Sequence, residues 1–69
     1  MEYSNRRLRE IVEDYIHDER DRQIFLRRFA DNITIERLAE EHELSVSQIK
    51  RILKKHYYTV FMRIGKDEN

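Results

Sequence analysis

The 69-residue chain contains no cysteine, no proline and only one glycine, Gly65. The lack of cysteine excludes disulfides, thiol catalysis and the usual cysteine-based zinc sites, and it fits a reducing cytoplasm. Without proline, and with one glycine, the sequence has few signals for the tight turns that join strands. We therefore predict an all-α protein.

The chain also lacks long apolar segments. No apolar run approaches the ~18 residues of a membrane-spanning helix, and Arg6, Arg7, Arg9 and Glu10 interrupt the stretch that a signal peptide would keep apolar. Hydrophobic residues make up 39% of the 69 positions, which is enough for one small domain, residues 1–69. The sequence thus predicts a single cytoplasmic domain with no membrane partner.

Acidic and basic residues are equal in number, 14 of each, but unevenly distributed. The first 43 residues are predominantly acidic, whereas the segment from Leu44 to Lys66 contains basic residues and no acidic one. Two explanations remain open. Either the uneven charge reflects the helix dipole, which favours cations toward helix C-termini, or the segment presents an electropositive surface that binds a polyanion.

Apolar spacing and capping residues predict four helices and a tail, at residues 4–17, 21–31, 34–42, 45–64 and 65–69. Ser4 is a suitable N-cap for the first helix. Asn32 is expected to end the second, because asparagine tolerates a left-handed backbone. Gly65 is expected to end the fourth.

The third and fourth predicted helices have the inward residues of a helix-turn-helix unit. Ala39 is small enough for a second helix to cross closely, Leu44 fills the space under the turn, and Ile49 and Ile52 hold the second helix against the first. We therefore expect a compact four-helix domain with a C-terminal helix-turn-helix.

The turn between these helices has one favourable and one unfavourable feature. Ser45 and Gln48 have the spacing of a reciprocal capping box at the start of the fourth helix. Glu43 stands where glycine is common, so the turn has either a strained left-handed residue or another shape.

Four segments carry a resemblance to a known family: RQIFLRRF (22–29), DNIT (31–34), ERLAEE (36–41) and LSVSQIKRIL (44–53). Together they resemble region four of bacterial sigma factors and the small phage or mobile-element proteins related to it. The resemblance covers about residues 20 to 56 and implies that the second helix of the unit enters the major groove of promoter DNA. It also implies that a neighbouring surface can contact RNA polymerase. Because the remainder of a sigma factor is missing, we expect a free-standing transcription regulator.

The resemblance places Ser47, Gln48, Lys50, Arg51 and Lys54 toward DNA and Thr34 at a phosphate. Helical geometry supports part of this assignment, because Ser47, Arg51, Lys54 and Tyr58 form one column on the side opposite the apolar face. Short polar groups near the helix start let the backbone approach DNA. The long cationic side chains further along the helix are donors to the DNA. The predicted DNA-binding residues are Thr34, Ser45, Ser47, Gln48, Lys50, Arg51, Lys54 and Lys55.

These residues also have simpler explanations. Lysine and arginine commonly solvate an exposed helix face, Thr34 is first a helix cap, and Gln48 cannot read adenine while its amide closes a capping box. We expect Arg51 to contact a base edge and Lys54 and Lys55 to contact phosphates.

Catalysis and cofactor binding find little support. His17, His42 and His56 are far apart, no His-Glu-x-x-His spacing occurs, and no glycine-rich loop is available for a nucleotide phosphate. For His42 and His56 we favour a capping or core-edge role over metal binding. We predict no enzyme activity, no metal site and no cofactor.

The aromatic C-terminal segment, which includes Tyr58, Phe61 and Met62, is more apolar than one buried helix face requires. Either the first helix folds back across it, which we favour, or it forms a dimer contact or a docking site for RNA polymerase. The predicted partners are double-stranded DNA, RNA polymerase and a second copy of the chain. The alternative is a protein-interaction module that binds polymerase or an anti-sigma partner without contacting DNA.

Overall fold

The computed structural model describes residues 3–67 and contains, within that range, four helices and no strand. The helices are α1 (Asn5–Tyr15), α2 (Glu19–Phe29), α3 (Ile35–His42) and α4 (Val46–Asp67). The prediction of an all-α, four-helix fold with a C-terminal helix-turn-helix is confirmed. In the described range, none of the helices is long and apolar enough to cross a membrane.

A side-chain oxygen caps the start of each of the first three helices. The hydroxyl of Ser4 accepts a hydrogen bond from the Arg7 amide, and the hydroxyl of Thr34 accepts one from the Arg37 amide. Asp18 accepts one from the Asp21 amide at 3.0 Å, and this bond lowers the pKa of the Asp18 carboxyl below its ordinary value.

Because Asp18 is the cap, α2 begins at Glu19, and the predicted helix 21–31 is two residues too late at both ends. The chain leaves α2 through Asn32, whose φ of 59° is the left-handed conformation that the sequence predicted there. The first helix also ends earlier than the predicted residue 17. Ile16 leaves α1 with an extended backbone while its side chain stays buried.

The prediction that Gly65 ends the last helix is wrong. α4 continues through Gly65 to Asp67, so the predicted tail is helical at residues 65–67, and residues 68–69 lie outside the described range. One glycine inside a helix costs about 1 kcal/mol relative to alanine. That cost is small beside the burial of Val60 and Ile64, which holds this part of α4 against the core.

The core lies around α4, which packs against each of the other three helices. The fully buried residues with the largest side chains include Phe25 of α2, Leu8 of α1 and Leu38 of α3. On the buried side of α4 they meet Ile49 and Ile64. The orientation of α4 is therefore determined along most of its length.

An aromatic cluster covers part of the C-terminal segment of α4. The ring of Phe61 contacts those of Tyr3, Phe25, Phe29 and Tyr57, and the Tyr3 hydroxyl donates to the carbonyl of Phe29 at 2.9 Å. α1 packs against α4 as the favoured explanation expected, but the rings that contact Phe61 belong to Tyr3, to α2 and to α4 itself. The broader expectation of cover within the molecule therefore holds for Phe61. It is wrong for Tyr58 and Met62, which remain 72% and 43% exposed.

Candidate nucleic-acid interface

α3 and α4 form the helix-turn-helix through a left-handed turn residue. Glu43 has φ 54° and ψ 41°, and the amide of Leu44 donates to the carbonyl of Ala39 at 2.9 Å. The turn thus has the shape for which glycine is usual, and Glu43 adopts it at a strain of about 1 kcal/mol. Ala39 is buried at the crossing and Leu44 is half-buried beneath the turn, as the sequence predicted.

The predicted capping box is present at the start of α4. The Ser45 hydroxyl accepts a hydrogen bond from the Gln48 amide at 3.1 Å, and Oε1 of Gln48 accepts one from the Ser45 amide at 2.8 Å. A bidentate contact to adenine needs both the oxygen and the nitrogen of a glutamine side chain. With its oxygen engaged, Gln48 offers only its NH₂ group as a donor to DNA.

The outer face of α4 is cationic. Lys50, Arg51, Lys54 and Lys55 are all exposed, while Ile49 and Leu53 are buried on the opposite side. Within residues 3–67, none of these four cations forms a hydrogen bond or an ion pair. The charges of Lys50, Arg51 and Lys54 are therefore available to an external anion, whereas Lys55 also lies near enough to Asp18 to help lower the pKa of that carboxyl.

The dimensions of α4 and of its cationic face suit the major groove. At about 1.5 Å per residue, the segment from Ser47 to Lys54 spans about 10 Å. The major groove of B-DNA is about 12 Å wide. An α-helix with its side chains is also about 10–12 Å across, so α4 can lie in the groove with this polar column toward the bases.

Thr34 lies at the exposed start of α3. Its hydroxyl is engaged as a cap, but in the part of the chain that is described the amides of Ile35 and Glu36 donate no hydrogen bond. Such free amides at a helix start can bind a phosphate oxygen. The carboxylate of Glu36 in the same turn opposes an anion, so Thr34 offers a weaker anion site than the α4 cations.

Arg20 is a candidate that the sequence analysis missed. It belongs to α2 but lines a surface recess together with Gln48 and Arg51 of α4, and its side chain is 54% exposed. Its guanidinium also lies 3.4 Å from the carboxylate of Asp21. Arg20 therefore extends the cationic face beyond α4, an arrangement that only the packing of α2 against α4 creates.

On the buried side of α4, a polar contact that the sequence did not predict joins the cationic part of this helix to α2. Nε2 of His56 lies 2.8 Å from Oδ2 of Asp21, whose side chain is almost fully buried. This bond joins α4 to α2 one residue after Lys55. His56 therefore has the core-edge position expected of it, with a specific polar partner.

No feature of the described residues indicates catalysis. Residues 3–67 contain no group of three or more histidine, aspartate or glutamate side chains that could hold a metal ion. The surface recess next to α2 and α3 is lined in part by Arg27, Asp31 and Glu41, which already pair with one another.

One of three comparisons with known proteins, that with family models, found a match, and it agrees with this geometry. Comparisons with curated proteins and with solved structures found no match. The model of the family described as sigma-70, region 4 matches residues 18–55, which is more than half of the chain. Domains of this family are DNA-binding helix-turn-helix domains of transcription-related proteins, not enzymes, and they also interact with RNA polymerase. The matched residues include α2, α3, the turn and the cationic part of α4, and the protein therefore belongs to the sigma-70 region 4 family.

Proposed function

We propose that this protein is a sequence-specific double-stranded DNA-binding regulator of transcription, acting in the cytoplasm, whose recognition helix at residues 45–56 enters the major groove. The observation that carries the proposal is the face formed by Lys50, Arg51, Lys54 and Lys55, which is exposed, forms no hydrogen bond or salt bridge within residues 3–67, and lies on a helix whose diameter fits the major groove.

Each residue has a role that follows from its position. Arg51 lies near the middle of the exposed face and contacts a base edge, where a guanidinium can bind guanine through two hydrogen bonds. Lys50, Lys54 and Lys55 flank it and bind phosphates, together with Arg20 from α2. Ser45 and Ser47 have short side chains, so the start of α4 can approach DNA closely. Gln48 donates a hydrogen bond through its NH₂ group. The start of α3, at Thr34, binds a phosphate.

One copy of the chain gives a small interface. A single module of this kind buries ~600 to 1,000 Å² on DNA, and a formal net charge of zero provides little long-range attraction. We expect a second copy or RNA polymerase to add affinity.

A selection of binding sites from randomised duplexes tests the proposal most directly. The expected result is an enriched sequence motif, whose half-site symmetry reports whether two copies bind. A titration of the enriched and random duplexes at two salt concentrations then measures specificity. Absence of binding to either duplex at low salt contradicts the proposal.

Replacing Arg51 tests the assignment of the base contact. Arg51→Ala should weaken binding to the enriched duplex by ~1 to 3 kcal/mol and relax the preference at one base pair. Lys66→Ala is a matched control, because Lys66 is exposed on the same helix. Its substitution removes the same positive charge about 22 Å from Arg51. Equal losses on enriched and random duplexes would refute the base-contact role.

The alternative function is a module that binds RNA polymerase or an anti-sigma partner without contacting DNA. Two observations favour it: Glu13 and Asp14 are exposed on α1, and Met62 remains exposed on α4. An acidic surface can face a basic protein. This function requires that the low-salt titration show no DNA binding.

A further inference from the structure

Tyr58 contributes little to the fold although it is a large aromatic residue. It is 72% exposed, more than any other large hydrophobic residue of the described chain, and its ring is absent from the aromatic cluster. Its neighbour Tyr57 is different, since the ring of Tyr57 contacts those of Phe29 and Phe61 at centroid distances of 5.8 and 4.7 Å. Within residues 3–67 the Tyr58 hydroxyl forms no hydrogen bond.

The position of Tyr58 along α4 relates it to the cationic face. It follows Arg51 by seven residues, almost two complete turns, so both side chains leave the helix in nearly the same direction. The rise over seven residues is about 10.5 Å. In a helix-turn-helix the N-terminal residues of the recognition helix contact the base edges. With Arg51 at a base, Tyr58 therefore lies on the C-terminal side of the base-contacting residues, where the sugar-phosphate backbone is the nearer partner.

We propose that the Tyr58 hydroxyl donates a hydrogen bond to a phosphate oxygen at the edge of the major groove and so determines how far α4 advances along it. This inference rests on the proposed function. Tyrosine is among the side chains that contact the DNA backbone, and such contacts fix register and orientation without selecting a sequence. Because the phenol is uncharged, it displaces no counterion from DNA.

The uncharged donor gives the contact a distinctive signature. Tyr58→Phe removes only the hydroxyl and should weaken binding to enriched and random duplexes alike by about fivefold to tenfold. The salt dependence of binding should stay the same, unlike that of a lysine variant. Tyr57→Phe is the matched control, because Tyr57 is itself 51% exposed but projects about 100° away around the helix.

The experiment measures fluorescence anisotropy of labelled duplexes with the full chain and both variants. Equal unfolding free energies for the variants and the parent protein show that the fold is unaffected. Duplexes with a single methylphosphonate then locate the contact. At one phosphate the substitution should weaken binding by the parent protein and have no further effect on Tyr58→Phe.

Three outcomes contradict the inference while leaving the proposed function in place. Unchanged binding by Tyr58→Phe excludes the contact, and an equal loss in Tyr57→Phe shows that the effect is not specific. A loss confined to the enriched duplex indicates base recognition instead of phosphate contact. Absence of binding by the parent protein overturns the proposed function itself, and Tyr58 then belongs to an apolar surface for a protein partner.

Discussion

At the residue scale, Asp21 and His56 show how a buried polar contact fixes the recognition helix. The Asp21 side chain is almost fully buried, and its oxygens lie 2.8 Å from His56 and 3.4 Å from Arg20. A buried carboxylate is stable only when it is hydrogen-bonded. The bond therefore holds α4 against α2 behind Lys54 and Lys55, the residues assigned to phosphate contacts.

Removing the imidazole should leave the buried carboxylate underpaired. We expect His56→Ala to lower the free energy of unfolding by about 1 to 3 kcal/mol, measured by urea denaturation at neutral pH. His17→Ala, in the exposed loop between α1 and α2, should change it by less than about 0.5 kcal/mol. In an Asp21→Ala background His56→Ala should cost less, and equal costs in both backgrounds would argue against the pair.

The sequence predicted where these residues lie but not that they meet. The predicted second helix began at Asp21, and His56, 35 positions later, was expected to cap a helix or lie at the edge of the core. Local spacing identifies a helix face, because the rotation per residue is fixed. A bond between helices depends on the angle at which α2 crosses α4, which no local pattern specifies. Arg20 was missed for the same reason.

At the element scale, α2 and α3 are joined by an ion pair. Nη2 of Arg27 lies 2.6 Å from Oε2 of Glu41, and Nε of the same guanidinium donates to the other carboxylate oxygen. This two-bond geometry holds the pKa of the Glu41 carboxyl below its ordinary value of 4.5 and raises the pKa of Arg27. The pair supports the first helix of the helix-turn-helix.

The direction of this shift predicts a pH dependence. A carboxyl with a lowered pKa in the folded state stabilises the fold above its ordinary pKa, and this contribution is lost as the pH falls below that value. The unfolding free energy of the parent protein should therefore decrease more steeply than that of Glu41→Gln between about pH 5 and about pH 3. Glu40→Gln is the control, because Glu40 is exposed and has no ion pair in the described range. Identical acid profiles for the two glutamine variants would contradict the prediction.

Helix starts were more predictable than helix ends. Ser4, Thr34 and Ser45 each cap the helix that the sequence assigned to them, because an N-cap is a short-range bond to an amide three residues later. A helix end has no such local requirement. Gly65 permits termination but does not cause it, and α4 continues to Asp67, past Ile64, the last buried residue in the described part of the helix.

At the scale of the whole molecule, α4 combines two functions in one rigid element of 22 residues. Its second half completes the core through Val60 and Ile64, and its first half presents the cationic face. Because a helix is stiff over this length, burial of one half determines the direction of the other. The formal net charge of zero conceals this arrangement, since the acidic residues belong mostly to the preceding helices.

The salt dependence of DNA binding distinguishes a groove contact from general attraction to a basic region. If Lys54 neutralises one phosphate, Lys54→Ala should reduce the magnitude of the slope of log K against log [salt] by about one. The loss should be the same on enriched and random duplexes, because a phosphate contact carries no sequence information. Lys66→Ala removes the same charge about 18 Å further along α4, beyond the groove, and should leave the slope nearly unchanged. Equal reductions in both variants would mean that the whole basic segment attracts DNA without a defined contact. The proposal that residues 47–55 lie in a single groove would then be wrong.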